Sequence, residues 1–455
     1  MATSTWPTPS APAAAVSRTT MPAFSALGNY TLNCTASCSG GRYGSNVGVS
    51  FDTLARMVTG PVDTGQAART GSSRLGWLDA LRGIGALAVV GEHLTTWAMP
   101  WLRPTAFNAG MYGVLVFFLV SGYIIPRSLE RHGDLRTFWI GRVFRLYPLY
   151  LAVIGLMLVL TPWIALRVDV PRDASAVAAH ATMLMDVVGM GAVLNTMWTL
   201  SYEMVFYLVV CALFVAGVRD GRGWLPVLFA LAGVVAGVGL AGPPLSGVWP
   251  VWVSAAGFAL GLACVLSGRG ARPAAVVMGV MALVLLLSSS RVPWFGAAML
   301  AFMFAGTAVH RWERGQGRLW PVFVAGAMVA LTPVWAISAG WWWVRPPVWI
   351  LTIVLAALTF AGAMALRGRR LPAVLVRLGV ISYSLYLVHL PILLIAMRVL
   401  GEMRFAPWPG QLGVGVLVLG VLLPVSWLTY RYVELPMQRA GRRLSGRAGG
   451  MPSPA

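Results

Sequence analysis

The sequence predicts an all-α protein, a polytopic transmembrane bundle of about 10–12 spanning helices behind a disordered N-terminal tail. Three observations carry this prediction. Of the 455 residues, 58% are hydrophobic and only 11% charged, the composition of a multi-pass membrane chain. The apolar residues gather into twelve runs, most of them close to the roughly 20 residues that a bilayer crossing takes. The formal charge is +20 without a single lysine, and the arginines concentrate in alternate short loops. That alternation fits the positive-inside rule better than a nucleic-acid surface, so no nucleic-acid partner is expected.

In chain order, residues 1–73 are rich in Ser, Thr, Ala, Gly and Pro, with no sustained apolar run and no signal-peptide pattern. They read as a disordered cytoplasmic extension. Cys34 and Cys38 lie there without the second pair that a metal or disulfide framework needs, and Cys211 and Cys264 fall in apolar runs as small core residues. A membrane domain follows over 74–440, and 441–455 forms a second disordered tail. The apolar segments are 77–98, 111–126, 146–166, 198–217, 224–241, 250–267, 274–290, 293–309, 319–339, 346–366, 380–400 and 410–430. The two segments flanking Arg291 and Val292 have the least distinct boundary.

Arginines follow every even-numbered segment, as in Arg127 to Arg145, Arg219 and Arg222, Arg269 and Arg272, Arg311 to Arg318, Arg367 to Arg377, and Arg431 to Arg443. The rule then places both termini in the cytoplasm and the chain in the cytoplasmic membrane. The sizeable outer loop, 167–197, holds Asp169, Asp173, His180 and Asp186. Within it, residues 174–190 are expected as an amphipathic helix lying on the membrane surface, either gathering an acceptor or serving as a solvated connector.

The chemistry starts in the first segment, which carries Arg82, Glu92 and His93. Ionisable groups at membrane depth cost several kcal/mol unless paired or facing a wet cavity, which makes them functional candidates. Arg82 and His93 are eleven residues apart, close to three helical turns, so they project from one face roughly 16 Å apart. A fixed cation and a titratable base thus share one strip. The bland alternative is a packed helix whose polar groups are satisfied by neighbours.

Further along, Arg142 and Arg145 in G-R-V-F-R-L-Y-P share a helix face and are placed at the cytoplasmic mouth of the third segment. Their planar forks suit phosphate, while lipid-headgroup snorkelling explains many such pairs equally well. Thr199, Glu203 and Tyr207 recur every four residues as one polar stripe. Glu203 is expected to meet His93 or an acceptor hydroxyl, or else to sit as a helix-entry carboxylate. Ser382, Tyr386 and His389 form another stripe, lining a cavity or bonding helices together. Small residues around Ser121 and Gly122 suggest close packing, and Glu434 beside several arginines suggests a structural ion pair. The five histidines at 93, 132, 180, 310 and 389 lack ligand spacing, so no metal is expected. Neither a phosphate loop nor G-x-S-x-G is present.

Together L-D-A-L-R-G-I-G-A-L-A-V-V-G-E-H, F-F-L-V-S-G-Y, R-V-F-R-L-Y-P, W-T-L-S-Y-E, I-S-Y-S-L-Y-L-V-H and R-Y-V-E-L-P resemble the membrane-bound acyltransferase-3 family, in its order, over residues 75–440. The resemblance implies O-acylation of a glycan, lipid-linked sugar or secondary metabolite. Arg82 with His93 and Arg142 with Arg145 match its two arginine-bearing motifs. Ser121, Glu203, Tyr383 and His389 fall on its other recurring positions. Two departures stand out: twelve segments against a usual core of ten, and Glu92 where an apolar residue is usual.

The resemblance implies acyl-CoA, acetyl-CoA first, as donor, held by Arg142 and Arg145 with Ser121 and Tyr383. His93 is expected as general base or as acyl carrier, Arg82 and Glu203 as its catalytic partners, and Glu92, Ser382, Tyr386 and His389 as cavity residues. The competing reading is a proton-coupled twelve-helix exporter, against which stands the absence of a repeated half.

Overall fold

The computed structural model describes residues 76–164, 173–218, 223–240, 242–336 and 342–448. The N-terminal extension with Cys34 and Cys38, the loop residues Arg167, Asp169 and Arg172, and Arg219 and Arg222 lie outside the described residues, as does the end of the C-terminal tail.

Among the described residues the regular structure is helical throughout, without a strand. Each of the twelve apolar segments forms a helix: α1 Gly76–Trp97, α2 Ala109–His132, α3 Leu135–Leu160, then, after a short α4 (Ala174–Ala181), α5 Trp198–Val215, α6 Trp224–Gly239, α7 Trp249–Ser267, α8 Ala271–Ser288, α9 Pro293–Glu313, α10 Trp320–Trp335 and α11 Pro346–Ala365. A second short helix, α12 (Ala373–Val380), precedes α13 (Ser382–Leu400) and α14 (Trp408–Thr429), which runs through a π-helical turn, Tyr430–Glu434, into α15 (Leu435–Ala448). Nine of these helices, counted among the described residues, are long and apolar enough to cross a membrane. The 16-residue α6 and α10 are shorter, and α1 has 22 residues but carries Asp79, Arg82 and Glu92. The chain is a multi-pass membrane protein.

α9 is the packing centre. Every residue from Pro293 to His310 is buried, as expected of a helix apolar all round, and α2, α5, α6, α8 and α10 pack against it. At its crossing with α2 a Cβ on Gly122 would fall on the Met303 carbonyl, and one on Gly306 on the Leu119 carbonyl. Close backbone approach of this kind is how helices associate where lipid offers no hydrophobic drive.

α1 is gripped differently. Gly83 abuts the Leu375 carbonyl and Gly379 the Asp79 carbonyl, joining α1 to α12, while Gly85 and Gly113 join it to α2. Positions 83 and 85 lie about 200° apart on a helix wheel, so α1 is clasped backbone to backbone on opposite sides. This holds Arg82, the residue before Gly83, in a rigid setting.

The structure differs from the sequence expectation in three places. α3 starts at Leu135 rather than near 146, because Gly133 closes α2 with a left-handed φ of 68° and Asp134 caps α3 through the Arg136 and Thr137 amides. Burial works to raise the Asp134 carboxyl. The Thr137 hydroxyl and the two amides outweigh it and hold the group below its ordinary value. Second, the surface helix expected over 174–190 ends at Ala181. Met183, Leu184, Met185, Val187 and Val188 beyond it are all buried, so this stretch enters the bundle. Irregular backbone at such depth survives only where protein surrounds it: His180 Nε2 accepts from the Val193 amide at 3.1 Å, and Tyr150 and Tyr147 of α3 donate to the His180 and Ala181 carbonyls. Third, Glu434 is neither beyond the last helix nor peripheral. The π-helical turn carries the chain on into α15, which stays helical through Ala448 where the sequence predicts a disordered tail from residue 441, and buries Glu434 to 2% exposure.

Candidate active site

The strip that carries Arg82 and His93 faces the other helices. Both residues are half-buried, and each has polar neighbours from separate elements. Around Arg82 the charged and phenolic groups within electrostatic reach are Arg145 of α3, Asp79 one turn earlier, and Glu203 and Tyr207 of α5. Glu434 adds a buried carboxylate whose charged neighbours are Arg145 and Arg82. It accepts hydrogen bonds from Ser384 Oγ and Gln438 Nε2, both at 2.9 Å.

The stripe on α5 ties this cluster to the other end of the strip. Tyr207 donates a short hydrogen bond to Glu203 and lies under the Arg142 guanidinium, which stands 5.1 Å from both the Tyr207 and the Phe138 ring centroids. This is the distance of a cation–π contact. Ser121 Oγ reaches Glu203 at 3.5 Å. Thr199, two turns from Tyr207, meets the Tyr386 hydroxyl at 2.8 Å, and that hydroxyl lies equally close to the Thr196 carbonyl. The Tyr386 ring packs against Phe117 and His389, each at 5.9 Å between centroids.

His389 in turn meets His93. Its Nε2 lies 3.4 Å from His93 Nδ1, with ring centroids 5.0 Å apart. His93 Nδ1 is also 2.8 Å from the Val89 carbonyl. Contacts therefore run from His93 through His389, whose ring packs against Tyr386, to Thr199 at the start of α5, and a separate set joins Glu203, Tyr207, Ser121 and Arg142 further along the same helix. α5 carries both sets, with Thr199 toward the His93 end and Glu203 and Tyr207 toward Arg82.

Several placements were not evident in the sequence. Glu203 bonds to Tyr207 and Ser121 rather than to His93. Arg142 and Arg145 lie two to three turns inside α3 instead of at its mouth, about 10 and 15 Å from its first residue. Tyr383 donates to the Leu146 carbonyl at 2.6 Å, with Glu434, Glu203 and Tyr207 as electrostatic neighbours. Ser382 is buried at the start of α13. Glu92 points away from the strip. Its carboxylate accepts from Arg103, Asn108 Nδ2 and the Ala109 amide, at 3.1–3.3 Å, and so anchors the loop and the start of α2. Sequence reasoning missed Glu434 as part of the cluster. Its only signal was the R-Y-V-E-L-P run, because a π-turn leaves no periodicity to read. Among the described residues no three His, Cys, Asp or Glu side chains gather as a metal set would.

Two kinds of chemistry meet here. A cluster of arginines interleaved with carboxylates suits an anionic, phosphate-bearing ligand. At the other end a partly buried imidazole, within hydrogen-bond distance of the Val89 carbonyl and His389, suits proton transfer.

The family described as "Acyltransferase domain", acyltransferase 3, matches residues 75–431. The chain is 27% identical over 190 residues to the peptidoglycan O-acetyltransferase OatA of Listeria monocytogenes, covering 38% of this chain and 28% of that protein. With the putative peptidoglycan O-acetyltransferase YrhL of Bacillus subtilis it shares 29% identity over 154 residues, 29% of this chain and 22% of that protein. Its likeness to the acyltransferase MdmB of Streptomyces mycarofaciens is 26% over 417 residues and spans 81% of this chain and 93% of that protein. The chain thus covers less than a third of the two peptidoglycan relatives and nearly all of MdmB. The matched span includes every helix from α1 to α14, and the chain belongs to the acyltransferase-3 family of membrane acyltransferases.

Proposed function

We propose that this protein moves an acyl group, acetyl in the first instance, from acyl-CoA on the cytoplasmic side of the cytoplasmic membrane to a hydroxyl of a sugar, glycan or glycosylated metabolite. The observation that carries the reading is that the polar stripe of α5 spans from an arginine–carboxylate cluster to the His389–His93 pair. Relatives named as peptidoglycan O-acetyltransferases support acetyl as the group and a carbohydrate as the acceptor.

Arg142 and Arg145 hold the donor's phosphates, with Ser121 and Tyr383 beside them. Arg82, flanked by Arg145 and Glu203, orients the thioester end. His93 takes the proton from the acceptor hydroxyl as its oxygen bonds to the acyl carbon. The carbon–sulfur bond breaks, and His93 returns the proton to the departing sulfur. Glu203 keeps Tyr207 and Ser121 in place against the arginines. Glu92 anchors the end of α1 on which His93 stands, while His389, with Tyr386 packed against it and Ser382 at the start of the same helix, supports the His93 end. The arginine-rich loops after the even-numbered apolar segments put both termini in the cytoplasm, and the bilayer is the protein's solvent.

The test is acyl transfer by the full chain in lipid nanodiscs. Free thiol released from acetyl-CoA only when a carbohydrate acceptor is added, with acetylated acceptor found by mass spectrometry, supports the reading. Absence of both products across peptidoglycan fragments, lipid-linked sugars and glycosylated macrolides overturns it.

A further inference from the structure

We infer that His389 is a positioning residue that, together with the Val89 carbonyl, holds His93 in its Nδ1–H tautomer and leaves Nε2 as its basic nitrogen. This rests on the acyl-transfer reading for its consequence, and on geometry alone for the tautomer.

Three contacts decide where the protons are. The Val89 carbonyl only accepts, so His93 Nδ1, 2.8 Å away, carries a hydrogen. His389 Nε2 faces that same Nδ1 at 3.4 Å. Two N–H groups do not face one another, so His389 Nε2 presents its lone pair. His389 then keeps its own hydrogen on Nδ1, and the Leu385 carbonyl stands 3.2 Å from that atom to receive it. With both rings neutral, one distribution satisfies all three contacts: both are protonated at Nδ1, with the His93 N–H shared between Val89 and His389. None of these contacts uses His93 Nε2.

The surroundings hold this arrangement in place. His389 is 2% exposed. Tyr386 packs beside it with its own hydroxyl tied to Thr199 and Thr196, so the ring has little room to turn. The carboxylate nearest in sequence, Glu92, is engaged by Arg103, Asn108 and Ala109. The second ring nitrogen of a working histidine is commonly fixed by a carboxylate or carbonyl. Here a neutral imidazole joins a carbonyl in that role. When His93 Nε2 takes the acceptor's proton, the resulting imidazolium donates Nδ1–H to two waiting acceptors. When the proton passes to the leaving sulfur, the pair returns to its starting state.

The experiment is nitrogen NMR of the full chain, labelled with 15N-histidine and held in lipid nanodiscs. Only five histidines are present, so single His→Gln variants assign each signal. In the wild type, His93 is expected to show a pyrrole-type Nδ1 and a pyridine-type Nε2. In His389→Ala only the Val89 carbonyl still holds the Nδ1–H, and His93 is expected to show a measurable share of the Nε2–H tautomer, with kcat lowered roughly 10–100-fold, the cost of losing the orienting partner of a metal-bound histidine. His389→Gln, whose side-chain oxygen accepts a hydrogen bond, is expected to restore one tautomer and most of the rate. A pyridine-type Nδ1 on wild-type His93, or an unchanged tautomer and rate in His389→Ala, overturns the assignment. Should His389→Ala fail to fold, a His389→Gln protein with both tautomers and a reduced rate overturns it, and one with a single tautomer supports it. Should no preparation transfer an acyl group, the enzymatic reading falls while the nitrogen spectra still judge the tautomer.

Discussion

α1 and α9 are both enclosed by other helices, and they answer the low-dielectric interior in opposite ways. α9 presents Trp, Phe, Met, Ala and Gly on every side, is buried from Pro293 to His310, and meets α2 through bare backbone at Gly122 and Gly306. α1 is equally clasped by glycine contacts, yet carries Asp79, Arg82, Glu92 and His93 and keeps Arg82 and His93 half-accessible. The difference lies in which residues face them. Around α9, neighbours supply packing. Around α1, they supply Arg145, Glu203, Glu434 and His389, each within hydrogen-bonding or electrostatic reach of Arg82 or His93. Charge is tolerated at membrane depth only where partners are already in place, so the rigid apolar half of the bundle serves as the frame for the polar half.

That contrast is open to direct attack. The sharpest cut is His93→Ala, which should lower acyl transfer by about 10²–10⁴, the range of general-base contributions, with the thermal midpoint in nanodiscs nearly unchanged. Near-normal turnover would erase the distinction between the two helices. Arg142→Ala combined with Arg145→Ala comes next. The expected result is weaker acyl-CoA binding by about 10²–10⁴-fold, from the loss of charge-assisted bonds worth about 1.5–3 kcal/mol each, read by calorimetric titration. Affinity equal to wild type would reduce the pair to topology markers.

On the apolar side Gly122→Ala should destabilise by about 1–3 kcal/mol, because its new methyl meets a backbone carbonyl that cannot give way. Its effect should appear in the melting temperature before it appears in the rate. The smallest change is Met299→Leu within α9, a volume-conserving swap costing under about 1.5 kcal/mol. Transfer by this variant should stay within about twofold of wild type; a large loss of rate would show that α9 does more than pack.

Much of the bundle was legible before any coordinates. All twelve apolar segments became helices, because a spanning chain must satisfy its backbone internally and writes that need as long apolar runs. The stripe Thr199, Glu203, Tyr207 also read correctly as one face, since spacing by four is a local property. The start of α3 was readable in principle from His-Gly-Asp, a left-handed glycine followed by a capping aspartate, but a search for hydrophobicity passes over a helix that opens with arginines.

What the amino-acid order determined by itself was the helical class, the membrane setting, and the shared face of Arg82 and His93, all consequences of interactions within a few turns of one helix. The tertiary structure alone decided the partners. His93 and His389 are 296 residues apart, Glu203 turned to Tyr207 and Ser121 rather than to the imidazole, Glu434 entered the cluster through a π-turn, and residues 183–188 folded inward instead of lying on the surface. Each of these depends on how antiparallel helices slide into register. That register is set by close contacts such as Gly83 against Leu375 and Gly122 against Met303, and no local periodicity encodes it.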